Sequence, residues 1–533
     1  MKHFFLFLIL LLINASFAQW STDPNNNLIV GYGLNPDLCS DSAGGCYITY
    51  EYGTTDYPRK LGLERLDKYG FKPWGTLKQI PGELPEQWYA EIIEDGEGGV
   101  IISYLDDLIA GSDFIYRIRA QRIDSAGNLL WGPTGVRVTT AEINHGNQAL
   151  VSDGNGGCIV IWPQVLQNYT YDYIVNRIND LGERVWSDTG IFLENSTDSQ
   201  PASIVRASDG NYYIQTSTIY RINQNGQIIN QYYGNMLGQP VPDPEGGIVL
   251  TGVTGSINNR RLVAQRKDSL GNNLWLEPYV EIADSLHSNT MLSIMQYGGY
   301  YFYGWMGKKN GNHEILQVQG LRNNGTILFN QGSISLSNNP GVTTYIPIVP
   351  SDSGSCIFIS SYTNGTFGQK IDTLGLLRWN SEQVLLNYPQ LGLDHSYATS
   401  DCFGGAIGLG DYLTDFAIPV FKVSSKGILG EIITSIAQEY QENFPTETTL
   451  FQNYANPFNP STVIEFSLPE DVDNVKLSIY NMLGEKVAEL VNTALMAGKY
   501  SYQWNAQNVA TGMYIYELRT NKFVSVKKMI LIK

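Results

Sequence analysis

Two carboxylic acids placed on either side of a glycosidic bond can cleave it. This 533-residue sequence sets Asp56, Asp106, Asp107, Asp113, Asp172 and Asp415 at comparable places in a repeating pattern. Tyr52, Tyr57, Tyr169 and Tyr171 stand among them. These ten residues are the candidates for holding an extracellular polysaccharide or protein, and a convergent pair of the acids is the candidate for glycan cleavage. Other chemistries find less support. The five histidines, at 3, 145, 287, 313 and 395, include no His-Glu-x-x-His pair. Neither a Gly-x-Ser-x-Gly elbow nor a phosphate-cradling glycine loop occurs. Turns of the form Asp-x-x-Gly-Gly offer one or two carboxylates each, against the roughly six to eight oxygens calcium takes, so they read as solvated turns. No metal or cofactor is expected.

The elements that would position these residues recur. Eight times between residues 27 and 433 an extended segment, an Asp-x-x-Gly-Gly turn, an apolar run and a second glycine turn follow one another. One copy runs Asp153-Gly154-Asn155-Gly156-Gly157-Cys158-Ile159-Val160-Ile161-Trp162 and continues to Asn179-Asp180-Leu181-Gly182-Glu183-Arg184-Val185-Trp186. A spacing of roughly 40–50 residues with four strand signals per unit is the signature of a β-propeller. In that copy the four strands are expected at 148–152, 157–162, 173–179 and 184–186. The expected fold is an all-β, eight-bladed propeller, or seven-bladed if the short unit at 208–225 merges with a neighbour. The units resemble Gln-Arg-Ile-Asp-x-x-Gly-Asn-x-Leu-Trp propeller repeats of exported bacterial proteins, and more distantly the quinoprotein-type blade. In an antiparallel meander the glycine turns share one face and the irregular loops the other. The candidate acids and tyrosines fall on the loop face, where binding residues of such scaffolds sit. Trp74, Trp131, Trp186, Trp275 and Trp379 recur at one repeat position and are expected to pack between blades rather than to serve as sugar platforms.

Composition narrows the partners. With 51 acidic against 34 basic side chains, the net charge of −17 disfavours nucleic acid and anionic membranes. Residues 1–18 have a basic start, an apolar stretch and Ala15-Ser16-Phe17-Ala18, the pattern of a cleaved signal peptide. No other run approaches the ~20 apolar residues of a membrane-spanning helix, so the mature chain is expected to have none. Five cysteines leave at least one thiol over. Cys46, Cys158 and Cys356 share a repeat position and read as small buried residues, whereas Cys39 and Cys46 flank a turn and are expected to be near enough to bridge.

Residues 434–449 are polar and acidic and read as a linker. The remaining 450–533 show seven or so short strand patterns, suited to a small β-sandwich of immunoglobulin type. They carry Asn456-Pro457-Phe458-Asn459-Pro460, Ile479-Tyr480-Asn481, Gly484-Glu485, Gly498, Gly512-Met513-Tyr514 and the basic end Lys527-Lys528. These motifs resemble the C-terminal sorting domain of the type IX (Por) secretion system, with Ala455 where that family usually has proline. The resemblance implies recognition by the outer-membrane translocon, removal by a sortase-like peptidase, and delivery through the periplasm to the outer surface or medium. The organisation expected is therefore signal peptide 1–18, propeller 19–433, linker 434–449 and sorting domain 450–533. Three functions stay open: a non-catalytic binding protein, a glycan-degrading hydrolase or lyase, and a structural surface protein.

Overall fold

The computed structural model describes residues 20–532 apart from 54–58, 111–112, 142–147, 167–169, 198–201, 233–239, 256–259, 276–278, 285–291, 310–312, 331, 337–345, 363, 380–382, 389–395, 411–415, 432–447, 454–455, 469–471, 496–497 and 508. The chain divides into two compact units, residues 1–432 and 433–533.

Among the described residues the first unit holds eight four-stranded antiparallel sheets, giving it a propeller-like fold. Their innermost strands are Leu34–Ser40, Glu86–Glu94, Ala149–Ser152, Ser203–Arg206, Val241–Pro242, Leu292–Tyr297, Ile348–Pro350 and Ser396–Ser400. Each packs beside the next, and the last packs beside the first, so the series closes into a ring. The short unit near 208–225 forms a full sheet of its own. Alternation along each second strand buries both faces. In the first sheet Cys46 and Ile48 face the eighth sheet while Tyr47 faces the second.

The fourth strand departs from the sequence reading. In the third sheet it is Ile191–Ser196, not 184–186. Arg184 makes only an isolated bridge to Ile178, as the equivalent residue does in five other repeats whether or not a tryptophan follows. The recurrent tryptophans each donate their indole N–H to a turn carbonyl of the following sheet. Trp74 reaches Ser125, Trp131 reaches Asp180, Trp186 reaches Gln224, Trp275 reaches Asn323 and Trp379 reaches Ser425, at 2.8–3.1 Å. They are inter-sheet wedges.

Beneath them runs a second series of contacts. The Asp41 carboxylate accepts the backbone N–H groups of Ala43 and Gly45 and is paired with Arg65 at 3.0 Å. Arg65 also donates to Ser125 O in the next sheet. Asp95 with Arg122, Asp153 with Arg177 and Asp243 with Arg266 repeat the arrangement. These carboxylates are buried, so the turns are ion-paired within their sheets rather than solvated. No group of three or more potential metal ligands occurs among the described residues.

The eighth sheet draws its outer strand from the other end of the unit. Leu28–Tyr32 pairs antiparallel with Ala417–Val423. That sheet lacks a tryptophan after its second glycine turn, and Trp20 takes the place. Its indole donates to Lys68 O at 2.9 Å, it is 4 % exposed, and Lys422 lies over its ring.

The expected bridge between Cys39 and Cys46 does not form. The register sets Cys39 opposite Tyr47 and Cys46 opposite Ser40. A one-residue offset sends the two side chains to opposite faces of the sheet. They belong to different cores, and all five cysteines are free. Burial in apolar surroundings raises the Cys39 and Cys46 thiols far above their usual range.

The second unit is a pair of sheets around its own core, which includes Phe458, Ile464, Leu477, Trp504 and Tyr516. The first motif latches onto the final strand, Val524–Leu531. Phe458 donates its N–H to Ile530 O and accepts from Ile532 N, while Asn456 Oδ1 accepts from Ile530 N. Gln452 and Asn456 both donate to Lys528 O. Lys527 and Lys528 stand opposite Tyr516 and Ile515, and Tyr514 donates to Ala510 O. Gly484 supplies the positive φ of its turn. Asn459 and Pro460 carry the chain from this latch into the strand Ser461–Leu468. Ala455 and residues 434–447 of the expected 434–449 linker lie outside the described residues, and the last linker residue, Thr449, already belongs to the strand Thr449–Leu450, opposite Ser467.

Candidate loop-face site

The candidate residues separate into three groups. Asp56, Tyr57, Tyr169 and Asp415 lie outside the described residues. Asp113 opens the strand Asp113–Ile123, opposite Ala110. Tyr52, Asp106, Asp107, Tyr171 and Asp172 belong to strands rather than loops. The hairpins project further than the sequence suggested, because Val100–Ala110 and Asp113–Ile123 stay paired to their tip.

Asp106 is fully buried. Its carboxylate accepts from Glu83 N, Leu84 N and Gln87 Nε2, which pins the link between the first and second sheets. Burial raises its pKa, and these three donors oppose the rise. Asp172 accepts from Asn195 Nδ2 at 2.7 Å. Tyr52 packs at the edge of the core shared by the first and eighth sheets.

Residues outside the candidate set complete this end of the first and second sheets. Glu51, buried, accepts from Asn35 Nδ2, Tyr89 N and Arg59 Nη1. The Arg59 guanidinium lies 4.4 Å from the Trp88 ring centroid, and Tyr89 flanks Trp88 with 37 % of its surface exposed. Glu86 stands directly opposite Asp107. Burial first, and the Asp107 charge second, raise the Glu86 pKa. One Glu86 oxygen is buried with no hydrogen-bond partner. Sequence reasoning passed over Glu51, Arg59, Glu86 and Trp88 because they match no spacing rule; only strand register brings them together.

Deeper in the ring, Asp37 and Glu91 occupy equivalent places in successive inner strands, opposite Thr49 and Ser103. Each follows a bulge where Asn35 (φ 48°) and Tyr89 (φ 47°) adopt left-handed backbone. Asp37 accepts from Leu38 N and Ile92 N, tying the first two sheets. Burial lifts Asp37 to about 6, and burial together with the Asp37 charge lifts Glu91 to about 8. Glu91 is exposed to solvent, so screening cuts most of this effect back and Asp37 carries the larger share. Both acids keep their protons to a higher pH when folded than when unfolded. Stability is therefore full below pH ~4 and declines as the pH rises through about 6 and about 8. Glu91→Gln, which has no proton to lose, should flatten that decline, as read from urea midpoints at pH 5 and pH 8.5. An unchanged slope would show that Glu91 ionises freely in the folded state.

Residues 452–533 match the family described as Secretion system C-terminal sorting domain. This segment is a type IX secretion sorting domain, which marks the protein for export to the cell surface or the extracellular space. No curated protein sequence matches the chain. Its structural neighbours are propeller-like. A solved structure of PorZ, an essential bacterial surface component of the type IX secretion system of Porphyromonas gingivalis, is 11% identical with a TM-score of 0.32, covering 92% of this chain and 79% of that one. BamB from Moraxella catarrhalis is 12% identical with a TM-score of 0.32, over 64% and 95% of the two chains. An α-L-arabinanase from Penicillium chrysogenum in complex with arabinobiose is 13% identical with a TM-score of 0.34, over 65% and 95%. No helix among the described residues is long and apolar enough to cross a membrane.

Proposed function

We propose that the protein is a non-catalytic, surface-delivered binding protein that holds a polysaccharide or protein on the loop face of its ring. The sorting domain supplies the destination. The observation that carries the binding reading is the arrangement around Trp88, where Arg59 lies over the Trp88 ring and the part-exposed Tyr89 flanks it. Rigid rings with a few placed polar groups favour recognition. Asp106 and Glu51 are committed to structure rather than to hydrolysis, because each is engaged by three donors that tie adjoining sheets. A glycosidase acid instead keeps an oxygen available to the bond it cleaves.

The mature protein is to be presented to a glycan array and to extracts of surface proteins, alongside an assay of reducing-sugar release. Saturable retention without sugar release is the expected result. Reducing ends accumulating from a retained glycan would replace this reading with a hydrolase.

A further inference from the structure

A cleft of about 330 Å³ opens between the outer strand of the fifth sheet, Val280–Ala283, and the middle strands of the sixth, Tyr300–Lys309 and His313–Arg322. Small-molecule sites begin near roughly 300 Å³. Glu281 and Asp284 line one wall, Gln317 and Ser333 the other, and Trp305 the base. Gly307 keeps the floor open. A Cβ there would meet Gln317 Cγ at 2.9 Å and Trp305 Nε1 at 3.1 Å.

The lining selects its occupant. Gln317 is buried and fixed, accepting from Ser333 Oγ and donating to Ser335 Oγ, both at 3.0 Å. Glu281 is paired with Arg261 at 3.0 Å, while Asp284 adds a second carboxylate. Two carboxylates repel an anion, and a wall of amide, hydroxyl and carboxylate groups disfavours an apolar ligand.

We propose that this cleft holds a single neutral sugar residue, its hydroxyls donating to Asp284 and Glu281 and exchanging hydrogen bonds with Ser333. The inference rests on the binding reading above and gives it a ligand class and a second place on the ring. A compact, many-hydroxyl ring fits both the volume and the surplus of acceptors.

Saturation-transfer NMR on the full mature protein, with methyl glycosides of glucose, galactose, mannose and N-acetylglucosamine, tests it. At least one glycoside should receive transfer, and Ala283→Trp, filling the cleft from the sheet edge, should weaken it at least tenfold. Asp284→Asn, at the exposed end of the wall and safe for folding, should weaken it severalfold and carries the test if the tryptophan variant misfolds. Transfer unchanged in both folded variants overturns the cleft assignment while leaving the glycan-binding reading intact. No transfer from any glycoside, or displacement by methylammonium at equal concentration, overturns the sugar assignment even if the array shows protein binding.

Discussion

A chain ending at residue 433 is expected to accumulate in the periplasm as a folded ring, with surface-exposed protein reduced to background. Residues 452–533 are the sorting domain, and 433–533 form a compact unit with an independent hydrophobic core. Deleting them therefore removes the export signal without opening the cores of the ring. Phe458→Ala should reproduce the defect in part. Phe458 is 3 % exposed against Trp504, at 5.6 Å between ring centroids, and its backbone grips the last strand. Losing a buried phenylalanine costs about 3–5 kcal/mol, a large share of what a domain of this size has. Fractionation combined with protease shaving of intact cells reads the outcome. Truncated protein at the surface would show that a signal within the ring suffices.

Trp20→Ala should lower the stability of the ring by about 3–5 kcal/mol, the cost of truncating a buried tryptophan. The effect should exceed that of Trp74→Ala, although both indoles donate to an equivalent turn carbonyl. Trp20 is almost fully buried, whereas Trp74 is only half-buried. Trp20 also anchors the segment leading to Leu28–Tyr32, which completes the eighth sheet. Urea unfolding followed by fluorescence compares the two variants. Equal losses would mean that the closing segment holds through its strand pairing alone.

Much of this architecture is legible in the sequence, because each repeat writes its turns in glycine and its wedge in tryptophan. Gly182 and Gly427 occupy left-handed positions in equivalent turns, and five tryptophans meet the same carbonyl position. What the repeat leaves unwritten depends on long-range pairing. The alternation of Arg184-Val185-Trp186 looks like a strand, yet it touches the ladder only through the Arg184–Ile178 bridge, and the fourth strand forms later at Ile191–Ser196. Asp106 reads as a loop acid until Glu83, Leu84 and Gln87 converge on it. Cys39 and Cys46 look opposed, and the actual partner of Cys46 is Ser40. The loop-face cluster was half visible. The repeat marked out Tyr52, Asp106 and Asp107, while Glu51, Glu86 and Arg59 over Trp88 required the register of two sheets.

The closing strand also shapes how the chain reaches its native state. Leu28 pairs with Val420 across nearly the whole ring sequence, so the first-made segment must wait for the last-made sheet. Loop-closure entropy grows only as about (3/2)RT ln n, so distance itself adds little cost at equilibrium. Rates are another matter, since pairings of such separation form late and slowly. Until then Ala417–Val423 presents an unpaired apolar edge, every residue of which is buried in the finished ring. Such an edge is a template for pairing with other chains. The vulnerable species during biogenesis is therefore an open ring of seven complete sheets and one three-stranded one, and the short segment beginning at Trp20 is what removes it from circulation.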